Sequence, residues 1–568
     1  MKWRKWIAAF AAAALLAASV PAVFAEPATA AATVTGNLVR ITTASDFSSL
    51  QLTNLTVDET VGDGAVRLTD SNKEGELITG VYSCAEFTRM VASWNADTPD
   101  GSTVEVTARG HLTGTDTWTK WLSWGVWGTE VARSCGDSET ARDANAYVDT
   151  DVFSLRKDTQ TVDQFQLRVV LRSKASGASP VLRQLCATLQ NNLEGKEIKP
   201  VYAEETVSLP DKVLLSTPAY SQMVRDPDIS TSICSPTTIT ALLNDRGEDL
   251  LPEQTALSTY DFNYKGFGNW AFALATAGSF GYDSYVQFGN LDIIRQELAK
   301  GYSVGIDVHY MPTKGGRLPY VENAPLASTG HLITVRGYET IDGVDYFYVS
   351  DSAANSDSEA LRRYRADQLD AAWNNRVVYI IHKKESNAGT SVSTAVDAEL
   401  RPVDGAADTY QLFVAGKAVD LTDQFLKNKT TGEGGGTIVA RLADQTPAAQ
   451  ASPTKTTTAN NTFLYDFRVD SNGIIIDPQI MFRQSKPGEE HALVITIITN
   501  TSQSYTAKLT VTTPNAQSSS AASAASSGSA GSSPSAGSGF PWLWVGIGAA
   551  LVLVAAGLLI TLKRAKKK

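Results

Sequence analysis

The chain has 568 residues and a formal net charge of −11 at pH 7. An acidic surface repels phosphates, so nucleic acid is excluded as a partner. Four cysteines are too few for a disulfide scaffold in a chain of this length.

Residues 1–25 read as a secretory signal. Lys2, Arg4 and Lys5 give a basic start, an apolar run follows, and Val23-Phe24-Ala25 offers a cleavage site. About 490 residues then precede a terminal tether and predict two to four domains.

Residues 31–191 predict an all-β sandwich. Val104, Val106 and Ala108 alternate with Thr103, Glu105 and Thr107, and Phe165, Leu167, Val169 and Leu171 alternate with Gln166, Arg168 and Arg172. Cys84, Cys135 and Cys186 lie here, and the spacing leaves open one bridge or three reduced thiols. In "TWTKWLSWGVWG", period two puts Trp118 with Trp124 on one face and Trp121 with Trp127 on the other. One pair is expected in the core and the other under a loop. Exposed rings would instead suit carbohydrate or cell-wall contact, which stays a side expectation for the β modules.

Residues 214–384 mix helix and strand patterns and predict an α+β domain. Helices are expected after Asn269 and after Asn290, the second ending at Gly301. Residues 387–515 return to strand patterns with long loops and predict a β-rich module. Residues 516–539 are nearly all Ser, Ala and Gly, a flexible tether of roughly 25 Å root-mean-square reach. Residues 540–562 are uncharged and apolar, spanning roughly 33 Å as a helix, enough for one bilayer crossing. The basic tail 563–568 follows and predicts a single-pass membrane protein with its N-terminal bulk extracellular.

Chemistry concentrates in the middle block. Cys234 precedes Ser235-Pro236 and an apolar run. Ser235 as N-cap and Pro236 at the first helical position would start a helix there, and Gly247 would close it. A thiol at a helix N-terminus is favoured as thiolate, and the same amides can hold an oxyanion. A thiol nucleophile needs a base and a group that orients the base. His331 opens the strand "HLITVRGY", and an Asp342-Gly343 turn leads back to Asp351. A plain two-residue turn would put His331 and Asp351 on opposite faces, and one bulge would put them on the same face. Gln222 could lend a side-chain N–H to the oxyanion. His309 reads as a strand histidine at the cleft edge or surface, His382 as solvated among lysines, and Asn355 as the reserve orienter. Scattered histidines and one thiol lack ligand spacing, so no metal or cofactor is expected.

The run "AYSQ…ICSPTTITALL…GYSVGIDV…GHLITVRGYE…YFYVSD" resembles the papain-like cysteine peptidases of family 39, which include the double-glycine leader peptidases. The resemblance covers residues 214–384. It implies a papain-like fold with Cys234 as nucleophile, His331 as base, Asp351 as orienter and Gln222 as oxyanion donor. A peptide or protein would be the substrate. Ser235 stands where the family carries glycine, and Ser352 where proline is common. Two alternatives stay open: an inactive peptidase-like binding module or adhesin, and a cell-wall amidase or transpeptidase using the same Cys-His pair.

Overall fold

The computed structural model describes residues 32–513, apart from 70–71, 175–177, 227–228, 390–395 and several stretches between 407 and 503. The signal-like start, the tether, the apolar segment 540–562 and the basic tail lie outside the described residues. No helix among the described residues is long and apolar enough to cross a membrane.

The first block is a sandwich of two seven-stranded sheets. The alternating residues fill its interior: Val104, Val106, Phe165, Leu167, Val169 and Leu171 are all buried. Strand side chains point to alternate faces, so one apolar set meets the opposite sheet while Arg168 and Arg172 stay at the surface with Glu76 and Glu74. All four cysteines of the chain are free thiols. The tryptophan pairing differs from the period-two expectation. Trp124 and Trp127 are both in the core. The pairing of Leu122–Trp127 with its neighbour slips between Ser123 and Val126, and Gly125 there has φ +100°. The slip turns Trp127 inward with Trp124. Trp118 and Trp121 instead flank Arg109, each ring centroid 4.9 Å from the guanidinium.

The middle block is a seven-stranded sheet with helices against it. Strand order is Tyr282–Phe288, Val377–Lys384, Val304–Tyr310, Ser328–Ile341, Val344–Ser350, Leu361–Arg365, with Lys212–Leu214 added beside Ser328–Ile341. The helix Cys234–Asp245 packs Ile239, Leu242 and Leu243 against Val286, Leu332, Tyr379 and Ile381. Gly305 permits the approach, since a Cβ there would lie 2.7 Å from Thr238 Cγ2. Burying one such Leu or Ile stabilises by about 1.5–3 kcal/mol. The helix ends at Arg246, with Gly247 beyond it at φ +103°. Asn269 and Asn290 cap the helices Trp270–Ser279 and Leu291–Ala299 through their side chains. The last block, from Val396 onward, consists of strands packed around Leu412, Ile474, Ile495 and Ile497.

Candidate active site

Cys234 is the first residue of its helix, not the residue before the cap. Ile233 is the N-cap and makes no side-chain cap bond. The expected cap, Ser235, is fully buried and its Oγ lies 2.9 Å from Tyr379 Oη. Pro236 therefore occupies the third helical position, where its missing N–H still costs no helical bond. The first-turn N–H groups of Cys234 and Ser235 have no helical acceptor, and that of Ser235 faces the partly exposed sulfur.

His331 sits on Ser328–Ile341 opposite Val308. Its Nε2 is 2.8 Å from Asp351 Oδ1, which leaves Nδ1 for the hydrogen bond to the Cys234 thiol. Asp342 and Gly343 form a two-residue turn, both at positive φ. The register then shifts between Val335 and Gly337, leaving Arg336 as a bulge with no partner on Val344–Ser350. That extra residue brings Asp351 and His331 to one face.

Asp351 is fully buried and saturated with donors. Oδ1 accepts from Ala353 N at 3.1 Å as well as facing His331. Oδ2 accepts from Tyr310 Oη at 2.5 Å and Tyr364 Oη at 2.7 Å. Neither tyrosine was singled out in the sequence, because only the sheet order brings Val304–Tyr310 and Leu361–Arg365 to the same carboxylate. The alternation of "GIDVHY", which puts Tyr310 on the face opposite His309, is the one signal available for Tyr310.

Gln222 is buried between the two segments that flank the thiol and the carboxylate. Its Nε2 donates to Ser230 O at 2.7 Å, and its Oε1 accepts from Ser352 Oγ at 2.8 Å. These two bonds fix which end of the amide carries the donors. Ser352, which stands after Asp351, therefore orients Gln222. Asn355 is exposed, and His309 is half-buried on the strand.

The electrostatics are coupled. Burial would raise the Cys234 thiol, but the bond to His331 and its charge, with the N–H groups of Leu332 and Ser235, hold it below the ordinary value. Burial would lower His331, but the Asp351 charge and hydrogen bond, joined by Cys234, raise it to about 10. Burial would raise Asp351, but His331, Tyr310 and Tyr364 hold it below the usual carboxylate range. The three shifts together favour thiolate, imidazolium and carboxylate in one line.

His382 is not solvated. It is buried, with Nδ1 3.3 Å from Asp283 and Nε2 2.9 Å from Glu297. Its strand, Val377–Lys384, is internal to the sheet, which buries it despite the lysines that follow. Glu204, Asp283 and His382 bring three potential ligand atoms within 4.8 Å of one another. Arg40 answers that charge already, 2.6 Å from Glu204 and 2.8 Å from Asp283.

Residues 29–189 match the family model described as Peptidase C39 N-terminal domain, and residues 214–380 match Peptidase_C39 like family. No curated protein matches the sequence. Among solved structures, digestive procathepsin L 3 of Tenebrio molitor larval midgut is 15% identical, over 32% of this chain and 73% of its own, with a TM-score of 0.24. TmCBM61 in complex with beta-1,4-galactotriose is 11% identical over 25% of this chain and 90% of its own, with a TM-score of 0.16. A carbohydrate-binding module of the β-sandwich superfamily is 14% identical over 28% of this chain and 58% of its own, with a TM-score of 0.15.

Proposed function

We propose that this chain, which carries a C39-like peptidase region behind a C39 N-terminal domain, hydrolyses peptide bonds of extracellular peptides or proteins. The observation that carries this reading is the bonded line from Cys234 through His331 to Asp351. In the proposed cycle the Cys234 thiolate attacks the scissile carbonyl carbon, and the carbonyl π electrons move to oxygen. The N–H of Cys234 and the Gln222 amide hold that oxyanion. Collapse re-forms C=O and breaks the C–N bond while His331 Nδ1–H protonates the leaving amine. Neutral His331 then takes a proton from water as the oxygen attacks the thioester, and the thiolate leaves. Asp351 stays charged throughout and keeps Nε2–H facing it.

The inactive-module alternative drew on Ser235. The Ser235 hydroxyl is buried and engaged by Tyr379, and this favours an active site. In this reading the apolar segment 540–562 anchors the enzyme in its membrane. The test is digestion of a peptide mixture by the full-length chain in detergent, beside the Cys234→Ala variant and with purified peptidoglycan in parallel. Cleavage of peptides that disappears in the variant supports the proposal. Release of amines from peptidoglycan alone would move the assignment to a cell-wall amidase.

A further inference from the structure

The helix Pro252–Thr259 ties the Gln222 segment to the Cys234 helix. On one side it is fixed to the nucleophile's own helix. Leu250 N, just ahead of it, donates to Asn244 Oδ1 at 2.9 Å, and Asn244 Nδ2 donates to Leu250 O at 3.0 Å. Thr240 Oγ1 donates to Thr255 Oγ1 at 2.8 Å. Ala256 packs with Ile229 and with Ile233, the residue before Cys234. These contacts hold Pro252–Thr259 at a set place relative to the thiol.

On the other side Glu253, in the first turn of this helix, reaches the Gln222 segment. Glu253 and Arg225 are both buried. Arg225 Nε donates to Glu253 Oε1 at 3.0 Å, and Nη2 donates to Oε2 at 2.6 Å. Asp226 N also donates to Glu253 Oε1, at 3.1 Å. The Asp226 carbonyl in turn accepts from Ser230 N at 2.8 Å. The Ser230 carbonyl is the acceptor that takes Gln222 Nε2 at 2.7 Å. Arg225 N donates to Gln222 O at 3.2 Å. One carboxylate therefore steadies both the backbone at Gln222 and the acceptor that aims its amide. Such a pair contributes little net stability, because desolvation offsets its attraction. Its two parallel bonds do fix direction.

We propose that Glu253 is a positioning residue of the peptidase site: paired with Arg225, it keeps the Gln222 amide in place relative to the Cys234 helix. This rests on the peptidase reading and adds what holds its oxyanion donor. Glu253 meets neither substrate nor reacting atoms. It acts through Arg225 and through the backbone of Asp226 and Ser230.

The test uses the full chain in detergent. Loss of Glu253 alone would strand a buried Arg225 and endanger the fold. Arg225→Met combined with Glu253→Leu instead puts apolar groups of comparable size in the pair's place, which a buried site tolerates, and removes the acceptor for Asp226 N. The kinetic reading is kcat and KM on a peptide that the parent cleaves. The thiolate reading is iodoacetamide labelling of Cys234 at acid pH, mapped by peptide mass spectrometry because the other thiols are also free. The structural reading is hydrogen exchange at the amides of Asp226 and Ser230. In the double variant kcat is expected to fall by about tenfold with KM within about threefold. Labelling, which needs no oxyanion donor, is expected to stay within about twofold. Exchange at the two amides is expected to quicken by about tenfold. Arg225→Lys keeps the charge without the fork and is expected to cost about threefold in kcat. A kcat within about twofold of the parent, or a loss of labelling as large as the loss of kcat, overturns the inference. Slow acid labelling of the parent itself would count against the peptidase reading instead. The exchange rates then decide alone: quickened exchange supports the hold of Glu253 on the Gln222 segment, and unchanged exchange overturns it.

Discussion

His331 Nε2 stands 2.8 Å from Asp351 Oδ1 because one extra residue, Arg336, lies in the strand between them. Continuing the turn's register would set Asp351 opposite Thr334. The bulge moves it opposite Ile333, two residues from His331 and on the same face. Gly337, next to the bulge, lets Lys212–Leu214 pair closely, since a Cβ there would lie 2.4 Å from Val213 O. The geometry of the site is thus set by backbone irregularity as much as by the three side chains.

Asp351 governs the protonation of His331. Asp351→Asn removes the charge that raises His331 to about 10. The alkaline limb of the pH–rate profile is expected to move down from that value toward 6.5. The rate constant kcat at neutral pH is expected to fall by about tenfold to a hundredfold. Steady-state kinetics between pH 5 and 10.5 on a cleaved peptide check this. An unmoved alkaline limb would detach Asp351 from the base.

Gln222 acts on the oxyanion in this account, and Ser352 aims it. Gln222→Ala is expected to lower kcat by about a hundredfold with KM little changed, as loss of an oxyanion donor does. Ser352→Ala frees the amide to turn and is expected to cost about tenfold in kcat. A change confined to KM in both variants would make Gln222 a binding residue.

The two tyrosines hold Asp351 in its ionised form. Tyr364→Phe removes a 2.7 Å donor from a buried carboxylate. A hydrogen bond to a charged group contributes about 1.5–3 kcal/mol, so urea denaturation should show a loss of that size. Stability equal to the parent would mean that Tyr310 alone suffices.

The His382 cluster makes stability depend on pH. His382 is desolvated, yet Asp283 and Glu297 raise it from 6.5 to about 9. A raised folded pKa contributes fully below 6.5 and is lost as pH rises through about 9. Asp283 is also desolvated, yet His382 and Arg40 lower it from 3.8. Its contribution is present above that value and is lost as pH falls through the lower folded one. Melting temperature is therefore expected to be highest between about pH 4 and 6.5 where this cluster is concerned. His382→Ala should cost about 3 kcal/mol there by stranding buried carboxylates. A variant that melts at the parent temperature near pH 5 would contradict this.

Much of the site could be read from local chemistry. A thiol before Ser-Pro and an apolar run marks a helix mouth, and a histidine and an aspartate on strands joined by an Asp-Gly turn mark a candidate pair. The bulge was visible only as a requirement, because nothing around Arg336 announces it. What stayed hidden depends on long-range packing. Tyr310 and Tyr364 reach Asp351 through sheet order. His382 is buried because its strand is internal, whatever its neighbours are. Ser235 left the capping role because the helix begins two residues earlier, at Cys234, and its hydroxyl finds Tyr379. The small apolar helix "WAFALATAGS" is buried almost all round, the mark of an element with partners on both sides. Its second partner, the sandwich, could not be named from sequence.

The measurement that tests the central claim most directly is the pH dependence of Cys234 alkylation, with His331→Ala as control. A thiolate–imidazolium pair predicts fast labelling that persists down to about pH 5 and is lost in the control. Labelling that rises only near the free-thiol value of about 8.5, with no response to His331→Ala, would contradict the account.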